Sequence, residues 1–307
     1  MIPSFALFTT CKPFGGAAGD AQRSALRSWR LAHPDVPILV FGDEHGTAEH
    51  CAALGLAHVP TLSRTAGGAP RVDRLFADAE ARTSAPVLVY ANADVALTGG
   101  LDTAVAAASA ALPAFLLVSR RWNVPLEKEW DFDGPRWAEE LAAFARARGR
   151  LEAPYGGIDL FAFTRGLWRD LPPYALGRRR WDSGLVLRAR ELGAPVVDAT
   201  DAVVTVHPDH PPYRPPGPAT ATAEDARRNE GLLGGDARIF TALNATHRLG
   251  PLGLEKLRAL RSGHVLRRLA TLPALHPRAR WLSPLVRALA PLWRATRRGP
   301  APQHERM

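Results

Sequence analysis

Three apolar runs, Phe5–Thr9, 36–44 and 85–94, are separated by stretches whose apolar residues recur at helical spacing, and this alternation constrains the fold more than anything else in the chain. A strand buried on both faces reads as a continuous apolar run, and each of these does. Between them, "GDAQRSALRSWRLAH" and "RVDRLFADAEART" repeat their apolar residues with the period of a helix, and Asp20 is placed to cap the first. A further helix around "GTAEHCAALG" leads to a short extended segment, "AHVP", and a Gly-rich loop, "SRTAGGAP". The order βαβαβ predicts an α/β fold: a doubly wound, mostly parallel sheet with flanking helices.

In such sheets ligands collect at the carboxyl ends of the strands. The first run ends in Thr9-Thr10-Cys11-Lys12, the second in Gly42-Asp43-Glu44 and the third in Asn92-Ala93-Asp94. A carboxylate desolvated alone is costly, so Asp94 must be paired, metal-bound or turned to solvent. The three polar ends are expected to share one crevice.

The net charge of +9 suggests a polyanion partner until it is divided along the chain. Residues 251–307 hold 12 Lys and Arg against Glu255 and Glu305, which leaves residues 1–250 close to neutral. The tail places Leu, Val and Trp at helical spacing with Arg between them, interrupted at Pro273, Pro277, Pro284 and Pro291. It is expected as basic amphipathic C-terminal helices, packed with a solvated Arg face or resting on an anionic membrane surface. It carries no nucleic-acid module, and nucleic acid is not an expected partner. Residues 1–250 are therefore read as the principal domain and 251–307 as a basic helical extension with a disordered end. Two cysteines, Cys11 and Cys51, make neither a disulfide framework nor a zinc spacing. The N-terminus has no basic n-region and no apolar run is long enough to span a bilayer. These features point to the cytoplasm, with the inner membrane face as a docking place for the tail. Abundant Ala, Arg, Gly and Pro suggest a GC-rich, bacterial genome.

No Gly-x-Gly-x-x-Gly follows the first strand, and neither a P-loop nor a Gly-x-Ser-x-Gly elbow occurs. What remains is a nucleotide fold that holds phosphates by side chains or a metal. Magnesium or manganese would take one or two carboxylates together with diphosphate oxygens.

The succession "FGDE", "YANAD", "FLLVSRR", "GGIDLFAFTRGLW", "RRRWDSGLVLRA" and "VHPDH" resembles the GT-A-type nucleotide-sugar glycosyltransferases over about residues 3–247. That resemblance implies a GT-A-like fold, a nucleotide-sugar donor and an Asp-x-Asp motif whose acids hold a divalent metal and the donor's ribose or diphosphate. Asn92-Ala93-Asp94 matches the motif with its first acid replaced by an amide, which binds a hard metal weakly and supplies no charge. By the same resemblance Thr9 and Asp43 edge the nucleobase and ribose, and a late histidine, His207 before His210, joins Asp94 at the metal or touches the diphosphate.

The second half offers the acceptor side. Asp159 stands beside Gly156-Gly157 at the start of the strand Leu160–Phe163; it either makes a turn or, as the resemblance implies, lies near the donor sugar. Asp182 precedes the helix "SGLVLRARELG", where it either caps the helix or corresponds to the catalytic acid of inverting GT-A enzymes. Trp181 either stacks on a sugar or packs. Arg120 and Arg121 follow an apolar run and are candidates to neutralise phosphate or orient an acceptor. The stretch 210–235 reads as a Pro-rich loop running into a polar segment, either a linker or, as the resemblance implies, a lid over the donor.

The expected reaction moves a sugar from a nucleotide-diphosphate sugar to an unknown hydroxyl of a glycan or lipid-linked acceptor, with inversion. A carboxylate takes the hydroxyl's proton while the bond to the diphosphate breaks. Two other classes fit the sequence: a non-catalytic nucleotide-sugar-binding protein, invited by Asn92, and a sugar nucleotidyltransferase. The second needs a Gly-rich basic loop after the first strand, and "TTCKPFGGAAGDAQR" has the glycines and Lys12 without a basic cluster.

Overall fold

The computed structural model describes residues 4–126, 129–154, 157–209, 218–235 and 238–257, together with 269, 271–285 and 288. Four strands of the first half run parallel: β1 (Phe5–Thr10) lies between β2 (Ile38–Phe41) and β4 (Val87–Ala91), with β3 (Ala57–Val59) beyond β2. The chain builds outward from β1 on one side and then returns to its other side. The sheet therefore has a switch point between β1 and β4, the place where a doubly wound fold opens a crevice.

Past β4 the sheet continues with β8 (Ile158–Thr164), β6 (Leu116–Val124), β9 (Val196–Asp198), β11 (His247–Gly250) and β12 (Gly253–Lys256). β8 runs antiparallel to both neighbours, β4 and β6, so its beginning lies at the same sheet edge as the carboxyl ends of β1 and β4. That reversal brings Asp159 to the crevice. β5 (Ala96–Leu97), β7 (Arg150–Leu151) and β10 (Thr205–Pro208) pair with one another or with the far half of β6.

The strand side chains divide between two cores. In β4, Val87, Val89 and Ala91 face α1 (Gly16–Ala32), α2 (Thr47–Leu54) and α4 (Leu101–Ala111), whereas Leu88 and Tyr90 face α3 (Val72–Ala81), α6 (Trp181–Glu191) and α7 (Ala219–Leu233). Every β4 residue is buried, which is why the run lacks the alternation of a half-exposed strand. A smaller apolar cluster joins α5 (Trp137–Arg148) to β10.

Several expectations change. Asp20 does not cap α1: the helix begins at Gly16, and Asp20 pairs one turn on with Arg23. Residues 195–206 form β9 and β10, separated where Ala199–Val203 turns back on itself through Ala202 N–H and Val203 N–H to the Ala199 carbonyl. Within the stretch read as a loop, 219–233 is the helix α7. The β11–β12 hairpin carries the sheet past residue 250. Beyond it, Pro277–Leu282 forms a 3-10 turn, and most of the expected amphipathic helices lie outside the described residues. Among the described residues no helix is long and apolar enough to cross a membrane.

Candidate active site

A cavity of about 370 Å³ opens at the switch point. Its floor is the end of β1 and the turn after β4, with Thr10, Cys11, Lys12, Asn92 and Asp94; its rim carries Glu44, Arg64 and Arg178. A volume of this order suits a small organic ligand. Burial pushes the Cys11 thiol up, so it stays protonated at neutral pH and is no nucleophile.

Two expected binding residues are displaced by one position. Thr9 is buried with its Oγ1 donating to the Ala91 carbonyl at 2.7 Å, tying β1 to β4; Thr10 lines the cavity instead. Asp43 is exposed, and Glu44 takes the rim, where it receives Arg64 Nη2 at 2.6 Å. In β1 strand periodicity sets this, since a side chain one residue further along faces the other way, whereas Asp43 and Glu44 stand in the loop after β2.

Beneath the floor lies a polar chain. The Tyr90 hydroxyl donates to Asn92 Oδ1 at 2.9 Å, and Asn92 Nδ2 donates to Asp159 Oδ1. Arg121 Nη1 donates to Asp159 Oδ2 at 2.9 Å, and Arg121 is steadied by Asn123 Oδ1 at 2.9 Å and by Glu152. Burial raises the Asp159 pKa to about 6; Arg121 opposes the rise, and Asp94 and Asp182 add to it. Arg121 thus neutralises a buried carboxylate, not a phosphate. Arg120 points elsewhere, donating to the Glu152 carbonyl at 2.8 Å.

Asp182 lies in the first turn of α6, close enough to Asp159 to influence its charge. Its carboxylate accepts from backbone N–H groups of Ser183, Ile158 and Asp182 itself, and burial still raises its pKa. Arg180, just before the helix, holds a left-handed φ of 79°, costly for a residue with a side chain, and so sets where α6 starts. Trp181 is not a stacking platform: it is buried, edge-on to Tyr90 at 5.5 Å and tilted against Phe161 at 5.2 Å. Asp94, Asp159 and Asp182, far apart in sequence, therefore gather at one end of the sheet.

No family model and no curated sequence matches the chain. Among solved structures it is similar to glucosyl-3-phosphoglycerate synthase of Mycobacterium tuberculosis, at 16% identity over 77% of this chain and 80% of that one, with a TM-score of 0.43. It is similar also to the mannosyltransferase PcManGT of Pyrobaculum calidifontis in complex with GDP-Man and Mn2+, at 15% identity, 98% and 77% coverage and a TM-score of 0.40. A third is S. aureus TarS 1–349 in complex with UDP-GlcNAc, at 12% identity, 95% and 88% coverage and a TM-score of 0.49.

The residues expected to hold a metal fit one poorly. His207 Nε2 stands 4.0 Å from Asp94 Oδ2, but that same oxygen lies 2.6 Å from the Lys12 ammonium. Asn92 has both ends of its amide engaged, by Tyr90 and Asp159. Among the described residues no three His, Cys, Asp or Glu side chains converge as a ligand set; His210 lies outside them.

The cavity walls depend on α7, which sequence reading missed. Asp225 is buried and accepts from Thr65 Oγ1 at 2.8 Å, anchoring the Gly-rich loop 63–70; a Cβ at Gly67 would lie 2.5 Å from its Oδ2. One turn on, Asn229 Oδ1 accepts from Ala175 N–H at 2.8 Å while its Nδ2 donates to the carbonyls of Ala175 and Arg179. Thr, Asp and Asn in a stretch rich in Ala and Arg carry no sign in the sequence that they bind loops.

Proposed function

We propose that the chain is a glycosyltransferase that takes a sugar from a nucleotide-diphosphate donor bound in the cavity at the β1–β4 switch point. One observation carries the reading: the cavity is lined by Lys12, Arg64 and Arg178 against the carboxylates of Glu44 and Asp94, and Asp159, coupled to both Asp94 and Asp182, lies behind its floor. Cations suit a diphosphate, whose charge grows as it leaves. A carboxylate suits the removal of a proton from an acceptor hydroxyl.

In this reading Asp182 is the base. Both oxygens of Asp159 are engaged, by Asn92 and Arg121, whereas Asp182 keeps part of its surface exposed and, among the described residues, receives backbone N–H donors, fewer than the roughly four a carboxylate can accept. The acceptor oxygen attacks the sugar's anomeric carbon as Asp182 takes its proton, the bond to the diphosphate oxygen breaks, and the leaving electron pair rests on the diphosphate. Attack from the side opposite the leaving group inverts the centre. Asp159 positions Asn92 and Arg121. The acceptor is a hydroxyl of a glycan or lipid-linked glycan, the chain acts in the cytoplasm, and its basic tail rests on anionic lipid.

The test is release of nucleoside diphosphate from a panel of UDP-, GDP- and ADP-sugars with mixed glycan acceptors. Release from one donor, abolished in Asp182→Ala, is expected. Tight donor binding with no release in any mixture would make the chain a binding module. Diphosphate released from a nucleoside triphosphate and a sugar phosphate would make it a nucleotidyltransferase.

A further inference from the structure

Asp94, in the floor of the cavity, has a cation in contact with it. Lys12 Nζ lies 2.6 Å from Asp94 Oδ2, and the lysine side chain is 34% exposed while the aspartate's is 9%. Both side chains line the cavity, and the lysine has the larger exposed share. Its backbone is clamped on both sides: Lys12 N–H donates to Gln22 Oε1 at 2.6 Å, and Gln22 Nε2 donates to the Lys12 carbonyl at 2.9 Å, with Gln22 itself 1% exposed. A buried amide from α1 therefore fixes the start of the lysine side chain, and Asp94 fixes its end.

A divalent ion at Asp94 would have to displace that ammonium or lie against it. Neither is favourable, because a hard cation needs charged oxygens and this carboxylate is already neutralised at contact distance. Asn92, two residues earlier, adds no charge and has its amide oxygen turned to Tyr90. Arg64 and Arg178 border the same cavity and extend its positive side.

We infer that Lys12, held by Gln22 and Asp94, serves as the built-in cation for the diphosphate, and that the cavity binds a metal-free nucleoside diphosphate. The inference rests on the transferase reading for the presence of a diphosphate, and goes beyond it in assigning the charge that meets it. Lys12 lines the cavity with a compact point charge, which meets phosphate oxygens without the planar geometry a guanidinium requires.

The experiment is calorimetric titration of the full chain with UDP, GDP, ADP and inorganic pyrophosphate, each in excess EDTA and again in Mn2+. At least one of the four is expected to bind in EDTA with a Kd within about threefold of its value in Mn2+, and Lys12→Met is expected to weaken binding in EDTA by about tenfold or more. Lys12→Met also uncovers Asp94, so Mn2+ is expected to recover part of the lost affinity, a response that a merely structural lysine would not give. Lys12→Arg, which keeps the charge, is expected to stay closer to the wild type than Lys12→Met does. Binding that appears only with Mn2+, or a Lys12→Met chain that binds in EDTA as the wild type does, overturns the inference and leaves the transferase reading standing. No binding of any of the four in either condition overturns both. The wild-type comparison of EDTA with Mn2+ decides the matter even if a Lys12 variant does not fold.

Discussion

The guanidinium of Arg121, just past the bulge in β6, meets the carboxylate of Asp159 at the start of β8 at 2.9 Å, with 5% of the Asp159 side chain exposed. Burial works against the charge on Arg121, yet Asp159 and Glu152 outweigh it and hold the guanidinium more firmly protonated. Removing one partner of such a pair leaves a buried charge uncompensated. Arg121→Met is expected to lower stability by roughly 3 kcal/mol, read from urea unfolding at pH 7. Wild-type stability in that variant would mean the pair contributes nothing to the fold.

The pH dependence of stability has a definite sign. The folded pKa of Asp159 is raised from 3.8 to about 6, so the folded chain binds its proton more tightly than the unfolded one. The associated stability is present below pH 4 and is lost as the pH rises through 6. Lowering the pH from 7 to 5 is therefore expected to favour the wild type over Asp159→Asn by about 1 kcal/mol. A difference between the two that stays constant across that range would contradict the placement of a buried, titrating Asp159.

Asp182→Asn removes the proposed base and spares the donor cavity. It is expected to lower kcat by about a hundredfold or more while the donor Kd changes by less than about threefold. Because burial raises the Asp182 pKa, the acid limb of kcat should lie at higher pH than for a solvent-exposed aspartate. Initial rates across pH, with donor titrations beside them, check both.

The sheet was largely legible because continuous apolar runs ending in polar clusters mark strands buried on both faces. Asn92 and Asp94 line the cavity; Asp159 is not part of its lining and touches it through Asn92, and Asp182 lies next to Asp159. What the sequence concealed was orientation and partnership. Whether Thr9 or Thr10 faces the ligand turns on a single residue of strand phase. Among the described residues, Gln22 and Asp94 reach Lys12 from α1 and from the turn after β4, contacts that its place in the sequence does not announce. The antiparallel insertion of β8 cannot be read from its own composition, since buried parallel and antiparallel strands in a sheet covered on both faces look alike. α7 was hidden because its buried residues are polar: Asp225 and Asn229 make loop contacts, and only Leu233 joins the apolar core.

The start of α6 sets the position of Asp182, and its packing is tight. A Cβ at Gly184 would lie 2.3 Å from Tyr174 Cζ, and that ring is 2% exposed. Alanine gains about 1 kcal/mol over glycine in a helix interior. Forcing a methyl into a filled core costs about 1 to 3 kcal/mol, and a contact this short belongs at the upper end. Gly184→Ala is expected to lower Tm by several degrees, measured by circular dichroism. An unchanged or higher Tm would show that Tyr174 yields without cost.

The most direct test is a crystal structure of the chain with whichever nucleoside diphosphate raises its Tm most. The account predicts the diphosphate at the carboxyl ends of β1 and β4, in contact with Lys12 and bordered by Arg64 and Arg178, with Asp182 facing the place where the sugar would sit. A nucleotide bound at any other place on the molecule, with this cavity left to solvent, would contradict it.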